Sequence, residues 1–232
     1  MNKLTFLLAV AFALLISGCS SRQTPEFGKE PLHLDNFGLN IDVETFFKDE
    51  TLFRTNDDYR IKAEEESIRI GETDSILKYV RYSVISSPGA DTLARYNDFF
   101  FGDLEVIMDF DDKKNFMVAA SEENFSPGKV DSLIQQISAE YGTLLPYNTE
   151  HSPRYITYEW KKGDQLAKLV LDIDNPSQYN NSDEQQPDMN KQFSEAYHKA
   201  QTITVNFFIT DPKFDHFLKE ASSTSGLLTR YR

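Results

Sequence analysis

The apolar pattern changes several times along the chain. Residues 4–16 form a nearly unbroken apolar run, interrupted by Thr5. Ser20 to Asp35 contains Ser, Arg, Gln, Pro and Gly without an apolar period, which predicts a flexible spacer. Ordered structure is expected to begin near Phe37. Residues 60–64 and 67–70 alternate polar and apolar, as strands with one wet face do. Residues 76–85 are richer in β-branched and aromatic types and are expected to form a central strand. Segments 104–110 and 116–120 flank Asp111-Asp112-Lys113-Lys114, a polar connection suited to a hairpin. Their apolar side chains on both faces predict burial on both sides.

Further along, the boundaries are better marked. Ser126 is a candidate N-cap, Pro127 fits the first helical position, and Gly142 falls just past the end. Between them Val130, Leu133, Ile134, Ile137 and Tyr141 share one helical face, so an amphipathic helix is predicted over 130–141. Residues 154–162 and 165–173 read as two strands joined by Gly163-Asp164, with Gly supplying the positive φ of a type II′ turn. Closing that turn sets Trp160 opposite Ala167, Tyr158 opposite Leu169 and Ile156 opposite Leu171, giving one apolar face. Glu159 falls opposite Lys168 on the other face, a charge pair worth about 0.2–1 kcal/mol. A polar loop is expected over 175–190 and a short helix over 190–199. Residues 202–210 alternate, with Ile203, Val205, Phe207 and Ile209 on one face. Pro212 ends that strand, and Phe214, Phe217 and Leu218 indicate a short C-terminal helix. The class is α+β, mainly antiparallel sheet, with a body over 37–232 and a possible division into 37–122 and 123–232.

Composition narrows the range of partners. The 232 residues hold 24 Lys+Arg against 37 Asp+Glu, a net charge of -13, so no basic stripe exists to neutralise a nucleic-acid backbone. Apolar residues are 40% and aromatics 13%, enough for a packed core and too many for a disordered chain. The single Cys excludes an internal disulfide framework and any multi-Cys zinc site.

That cysteine lies where the first apolar run ends. A run of this length suits a secretory signal and is well short of the ~20 apolar residues of a membrane span. Ile16-Ser17-Gly18-Cys19 resembles the lipobox of bacterial lipoproteins. The resemblance implies removal of a signal peptide over 1–18, with cleavage between Gly18 and Cys19. It further implies a lipidated N-terminus and flexible tether over 19–36, with a diacylglycerol on the Cys19 sulfur and a third acyl chain on its amine. Two or more chains anchor stably, at roughly 0.8 kcal/mol per buried CH₂. Ser20 rather than an acidic residue after the Cys implies the outer membrane, facing the periplasm.

Catalytic patterns are mostly absent from the sequence. His33, His151, His198 and His216 stand far apart, form no H-E-x-x-H, and read as surface residues. No G-x-S-x-G elbow, P-loop or G-x-G-x-x-G occurs, and acylation of Cys19 would consume its thiol. Asp109, Asp111, Asp112 and Asn115 suggest a calcium loop, but Lys114 and Ala120 stand where Gly and Glu are needed, so a solvated hairpin tip is expected. Asp172, Asp174 and Asn175 make a second oxygen-rich spot, read as a strand end. Tyr155, Tyr158 and Trp160 invite a sugar-stacking reading, with core packing the favoured one. Asp74-Ser75-Ile76, Asp91-Thr92-Leu93 and Asp131-Ser132-Leu133 resemble short O-glycosylation sites of some bacterial envelope proteins. No catalytic residue, metal ligand or cofactor is assigned. The expected function is a lipid-anchored, non-enzymatic envelope protein, held to the membrane through Cys19 and binding an unknown envelope protein or polymer, not nucleic acid. The alternatives are an envelope hydrolase using paired carboxylates on glycan or peptide, and an acidic immunity or inhibitor protein.

Overall fold

The computed structural model describes residues 24–25, 27, 30–47, 59–69, 76–86, 92–145, 155–173, 197–198, 200, 202–221 and 226–231. The lipobox with Cys19, the 175–190 loop, His151, Ser75, Asp174 and Asn175 lie outside these residues, as does most of the helix expected over 190–199.

Two strands are apolar on both faces and take the middle of the sheet. They are β7 (Asn115–Phe125) and β10 (Ile203–Thr210). Around them lie β2 (Tyr59–Arg69), β3 (Ile76–Ser86), β6 (Asp103–Asp109), β8 (Tyr155–Lys162) and β9 (Gln165–Asp172). The seven strands run in the order β2-β3-β6-β7-β10-β9-β8, and every neighbouring pair is antiparallel. This is the α+β, mainly antiparallel class the periodicity indicates. A second sheet of three short strands joins β1 (Leu32–His33), β4 (Ala94–Tyr96) and β5 (Phe99–Phe101).

The helices follow their local signals. Helix α1 (Leu34–Phe37) and α2 (Val43–Phe46) are single turns, and the Asp42 side chain caps α2 by accepting from the Thr45 N–H at 3.0 Å. Helix α3 (Pro127–Tyr141) starts at Ser126, whose hydroxyl accepts from the Lys129 N–H, and stops at Gly142 with φ +91°. It buries Val130, Leu133, Ile137 and Tyr141, and Ile134 packs beside them half-buried. Helix α4 (Pro212–Glu220) is capped by Asp211 and buries Phe214 and Leu218.

Both sheet faces are covered. On the first face Val106, Ala120, Val205, Phe207, Leu169 and Trp160 meet α3, the N-terminal segment and the small sheet. On the second, Ile107, Met117, Ala119, Val170 and Phe208 meet α4, Leu228 and Tyr231. The hairpin register is the one closure at Gly163-Asp164 requires: Trp160↔Ala167, Tyr158↔Leu169, Ile156↔Leu171 and Glu159↔Lys168. Gly163 has φ +61°, as a type II′ turn demands. Lys168 is only 5% exposed, because α4 and the C-terminal turn close over that face. Its Nζ lies 3.2 Å from Glu159 Oε1 and 4.3 Å from the Tyr231 ring centroid.

Four expectations are corrected. Order begins before Phe37: Leu32 pairs in parallel with Ala94, and Phe27, Leu32 and Leu34 are buried. Their spacing carries no period because a two-residue strand leads straight into a one-turn helix. Residues 60–64 and 67–69 belong to one continuous strand, β2. Strand β3 is second from the sheet edge, and β7 holds the centre. The division at 122/123 cuts through β7, which pairs with β6 on one side and β10 on the other, so a single sheet crosses it.

Truncating the centre of this packing has a large expected effect. Phe207 is fully buried, with ring centroids of Tyr96 at 5.1 Å and Phe101 at 6.3 Å. Phe207→Ala is expected to cost about 3–5 kcal/mol by urea unfolding. Ser126→Ala, which removes one helix cap, is expected to cost about 1 kcal/mol in the same assay.

Candidate binding cleft

The small sheet has an inner and an outer face. Leu32, Ala94, Tyr96, Phe99 and Phe101 point inward and are buried against the main sheet. Side chains alternate along a strand, so the residues between them point out. The register His33↔Arg95 and Arg95↔Phe100 therefore sets an imidazole, a guanidinium and a phenyl ring in one outward row. Arg95 donates to His33 Nδ1 from Nη2 at 2.9 Å and from Nε at 3.2 Å. Asn36 Nδ2 also approaches that nitrogen at 3.1 Å. Three donors converging on Nδ1 make it the acceptor and assign the ring hydrogen to Nε2.

Between His33 and Arg95 of this row and the last turns of α3 lies an open cleft of about 740 Å³. Its floor and walls come from three separate stretches: His33–Asn36, the Arg95–Asp98 region, and Gln136 to Glu140 of α3. Gln136 and Glu140 are four apart on one helix and so share a face. Asn97, at the β4–β5 turn, holds φ +51°, a conformation Asn tolerates better than most residues. Tyr96 is buried beneath the cleft and donates its hydroxyl to Glu140 Oε2 at 2.6 Å. Lys162 Nζ lies 3.6 Å from the other Glu140 oxygen. Burial first, and then the hydrogen bond and charge of Glu140, push the Tyr96 phenol far above its usual range. Asp35 Oδ1 and Gln136 Oε1 are buried atoms without a hydrogen-bond partner among the described residues, and both side chains line the cleft.

A second polar group lies on the opposite sheet face and serves packing. Arg81 bridges Glu64 at 3.0 Å, Glu66, and Glu105 at 3.6 Å. Glu105 accepts from the Leu227 N–H at 3.1 Å and the Ser83 hydroxyl at 3.3 Å, tying the C-terminal turn to the sheet. Burial raises the Glu105 carboxyl, with Arg81 opposing. Beside it, Arg230 Nη1 donates to Asn206 Oδ1 at 3.1 Å, and Ser121 donates to the same oxygen at 2.9 Å.

The candidates raised by the sequence distribute as follows. His33 is half-buried within the cleft rather than a plain surface residue, because β1 pairs it with Arg95. His198 and His216 are exposed, the latter 3.4 Å from Glu220. At the β6–β7 tip, Asp109 Oδ1 accepts from the Asp111 N–H at 2.8 Å and the Asp112 N–H at 2.6 Å, so it organises a turn. Asn115 instead donates to the carbonyls of Leu39 at 3.0 Å and Ile41 at 2.6 Å, fastening the N-terminal segment. Asp172 ends β9 and is buried. Trp160 is fully buried and donates to Ser138 Oγ at 3.0 Å, with the Tyr158 ring stacked on it, so this pair is core. Ser132 donates to the Gly128 carbonyl at 2.9 Å within α3. Among the described residues no group of three His, Cys, Asp or Glu is placed to hold a metal.

Comparison of the chain with protein-family models, with curated proteins and with solved structures finds no match. Sequence reasoning missed the cleft because Arg95, Gln136 and Glu140 meet His33 only through long-range pairing.

The buried phenols predict an alkaline limit. Tyr79, Tyr96, Tyr141, Tyr197 and Tyr231 are all raised above the ordinary 10.0, in each case chiefly by burial. A raised group stabilises the fold fully below its unfolded value and loses that contribution as pH climbs toward the folded value. Urea midpoints are therefore expected to hold through about pH 9 and fall above about pH 10. The share of tyrosinate absorbance near 295 nm that belongs to these five phenols should appear only together with unfolding; their free titration in a folded chain would contradict this packing.

Proposed function

We propose that this protein is a lipid-anchored component of a bacterial cell envelope. Its body is non-enzymatic and binds an envelope polymer or partner protein. The carrying observation is the chain's single cysteine, Cys19, placed directly after the apolar run and Ile16-Ser17-Gly18. Ser20 at the following position favours the outer membrane, facing the periplasm.

The cleft supports binding over chemistry. It gathers hydrogen-bonding groups of both kinds in an open surface. A hydrolase would need a carboxyl held in a dry pocket to act as a general acid. Here Asp98 is exposed, and Asp35 and Glu140 are partly exposed. Among the described residues, the cleft also brings no hydroxyl or thiol nucleophile beside His33.

The anchor is tested by Cys19→Ala. The native chain is expected in the membrane fraction and in the detergent phase after phase separation, and the variant in the soluble fraction. Radiolabelled palmitate should enter the native chain alone. Persistent membrane fractionation of the variant would sink the lipid-anchor reading.

A further inference from the structure

We infer that the acylated Cys19 holds one side of the body against the bilayer, because the chain joining them is shorter than the body's radius. The lipid surface meets the side around Thr24, Pro25 and Phe27, while α4 and the C-terminal turn point away. This rests on the lipid anchor proposed above.

The length of the leash is set by where burial begins. Thr24 is half-buried, and Pro25 and Phe27 are buried. The Phe27 ring meets Phe46 and Phe47, each at 5.4 Å, and Phe47 stacks on Tyr82 of β3 at 5.2 Å. The chain from Cys19 to Thr24 is five residues, which reach about 17 Å when fully extended. A folded body of about 200 residues has a radius of gyration of about 17 Å, hence a spherical radius of about 21 Å. A sphere tied by a leash shorter than its radius touches a plane only within a quarter turn of the tied point. A spacer running to Asp35 would reach about 50 Å, more than the body's diameter, and would leave every side free to touch.

Strand β3 separates the two poles. Tyr82 turns to the first face, beneath Phe47. Tyr79, three residues away, turns to the second face, where its ring meets Phe214 of α4 at 6.2 Å. Helix α4 therefore lies across the sheet from the tied point. Its exposed Lys213, His216, Lys219 and Glu220 fall outside the permitted quarter turn and face the aqueous compartment.

Charge assigns the contact to the leash rather than to affinity for lipid. Glu30, Asp42 and Glu44 are exposed in the tied segment, and the whole chain carries -13, so an anionic leaflet repels this side. Among the described residues, the exposed large apolar side chains are Ile76, Phe100, Leu144 and Leu145, all outside that segment.

The test reconstitutes the full lipidated chain into phosphatidylcholine vesicles doped with a headgroup-linked photocrosslinking lipid, and maps the adducts by mass spectrometry. Adducts are expected over residues 24–47 and not over Pro212–Glu220, a contrast of at least about tenfold. Inserting about 40 Gly and Ser residues between Ser21 and Arg22 lengthens the leash to a span of about 35 Å. The contrast should then fall below about threefold, with the urea midpoint unchanged. Equal labelling of α4 and residues 24–47 in a native chain that floats with the vesicles overturns the orientation and leaves the anchor standing. A contrast unmoved by the insertion shows a lipid-recognising surface and overturns the leash. A native chain that fails to float removes the anchor and this inference together.

Discussion

Phe207 and Phe208 are adjacent on β10, and neither has any solvent exposure. Neighbouring residues on a strand point to opposite faces, so both faces of the sheet must be roofed for this dipeptide to be buried. Burying each ring is worth roughly 1.5–3 kcal/mol, and the strand cannot tilt to hide both on one side. Their cross-strand neighbours make room: Phe207 lies opposite Ala120 and Phe208 opposite Ala119 on β7. Small residues on one strand let large rings lie across it, so Ala119-Ala120 and Phe207-Phe208 act as one packing unit. The rest of the architecture supplies two covers.

The cover on the second face is local in sequence. Pro212 starts α4 straight after β10, and Phe214 and Leu218 return to the sheet within one short helix. The first face needs more material. Helix α3 covers part of it, and the segment from Phe27 to Phe47 covers more, with Phe46, Phe47 and Tyr82 in ring contact. Bringing that segment down requires a partner for its backbone, which β4 provides through the parallel pairing Leu32↔Ala94. Asn115 adds two side-chain hydrogen bonds to its carbonyls. Once Leu32 and Ala94 face the core, alternation forces His33 and Arg95 outward together. The polar row is thus a consequence of roofing Phe207.

What could be read from the sequence follows the range of each interaction. The 155–172 hairpin was legible to the residue, because a two-residue Gly-Asp turn fixes register and the charge pair Glu159–Lys168 agrees with it. Helix α3 was legible because cap, proline, apolar face and terminal glycine all fall within one window. Alternation assigns a side chain to a face and is silent on what covers that face. It therefore gives Lys168 only as a charge partner, though Tyr231 and α4, far along the chain, enclose it. The same silence makes Leu32 and Leu34 read as spacer, since the strand that pairs with Leu32 comes only after β2 and β3.

The anchor and the cleft lie at opposite ends of that scale. A lipobox is a linear pattern whose meaning is complete within four residues, Ile16-Ser17-Gly18-Cys19. The cleft draws on β1, the β4–β5 turn and the last turns of α3, so no spacing in the chain announces it. One local signal does mark the outer face of the small sheet beside it. Phe99-Phe100-Phe101 places three identical rings on consecutive strand positions, and alternation allows at most two of them to share a face. If the outer pair is core, the middle ring is left facing out. Alternation alone thus sets one phenylalanine on the wet side of the strand, opposite Arg95 and beside the Asn97-Asp98 turn, before any fold is drawn.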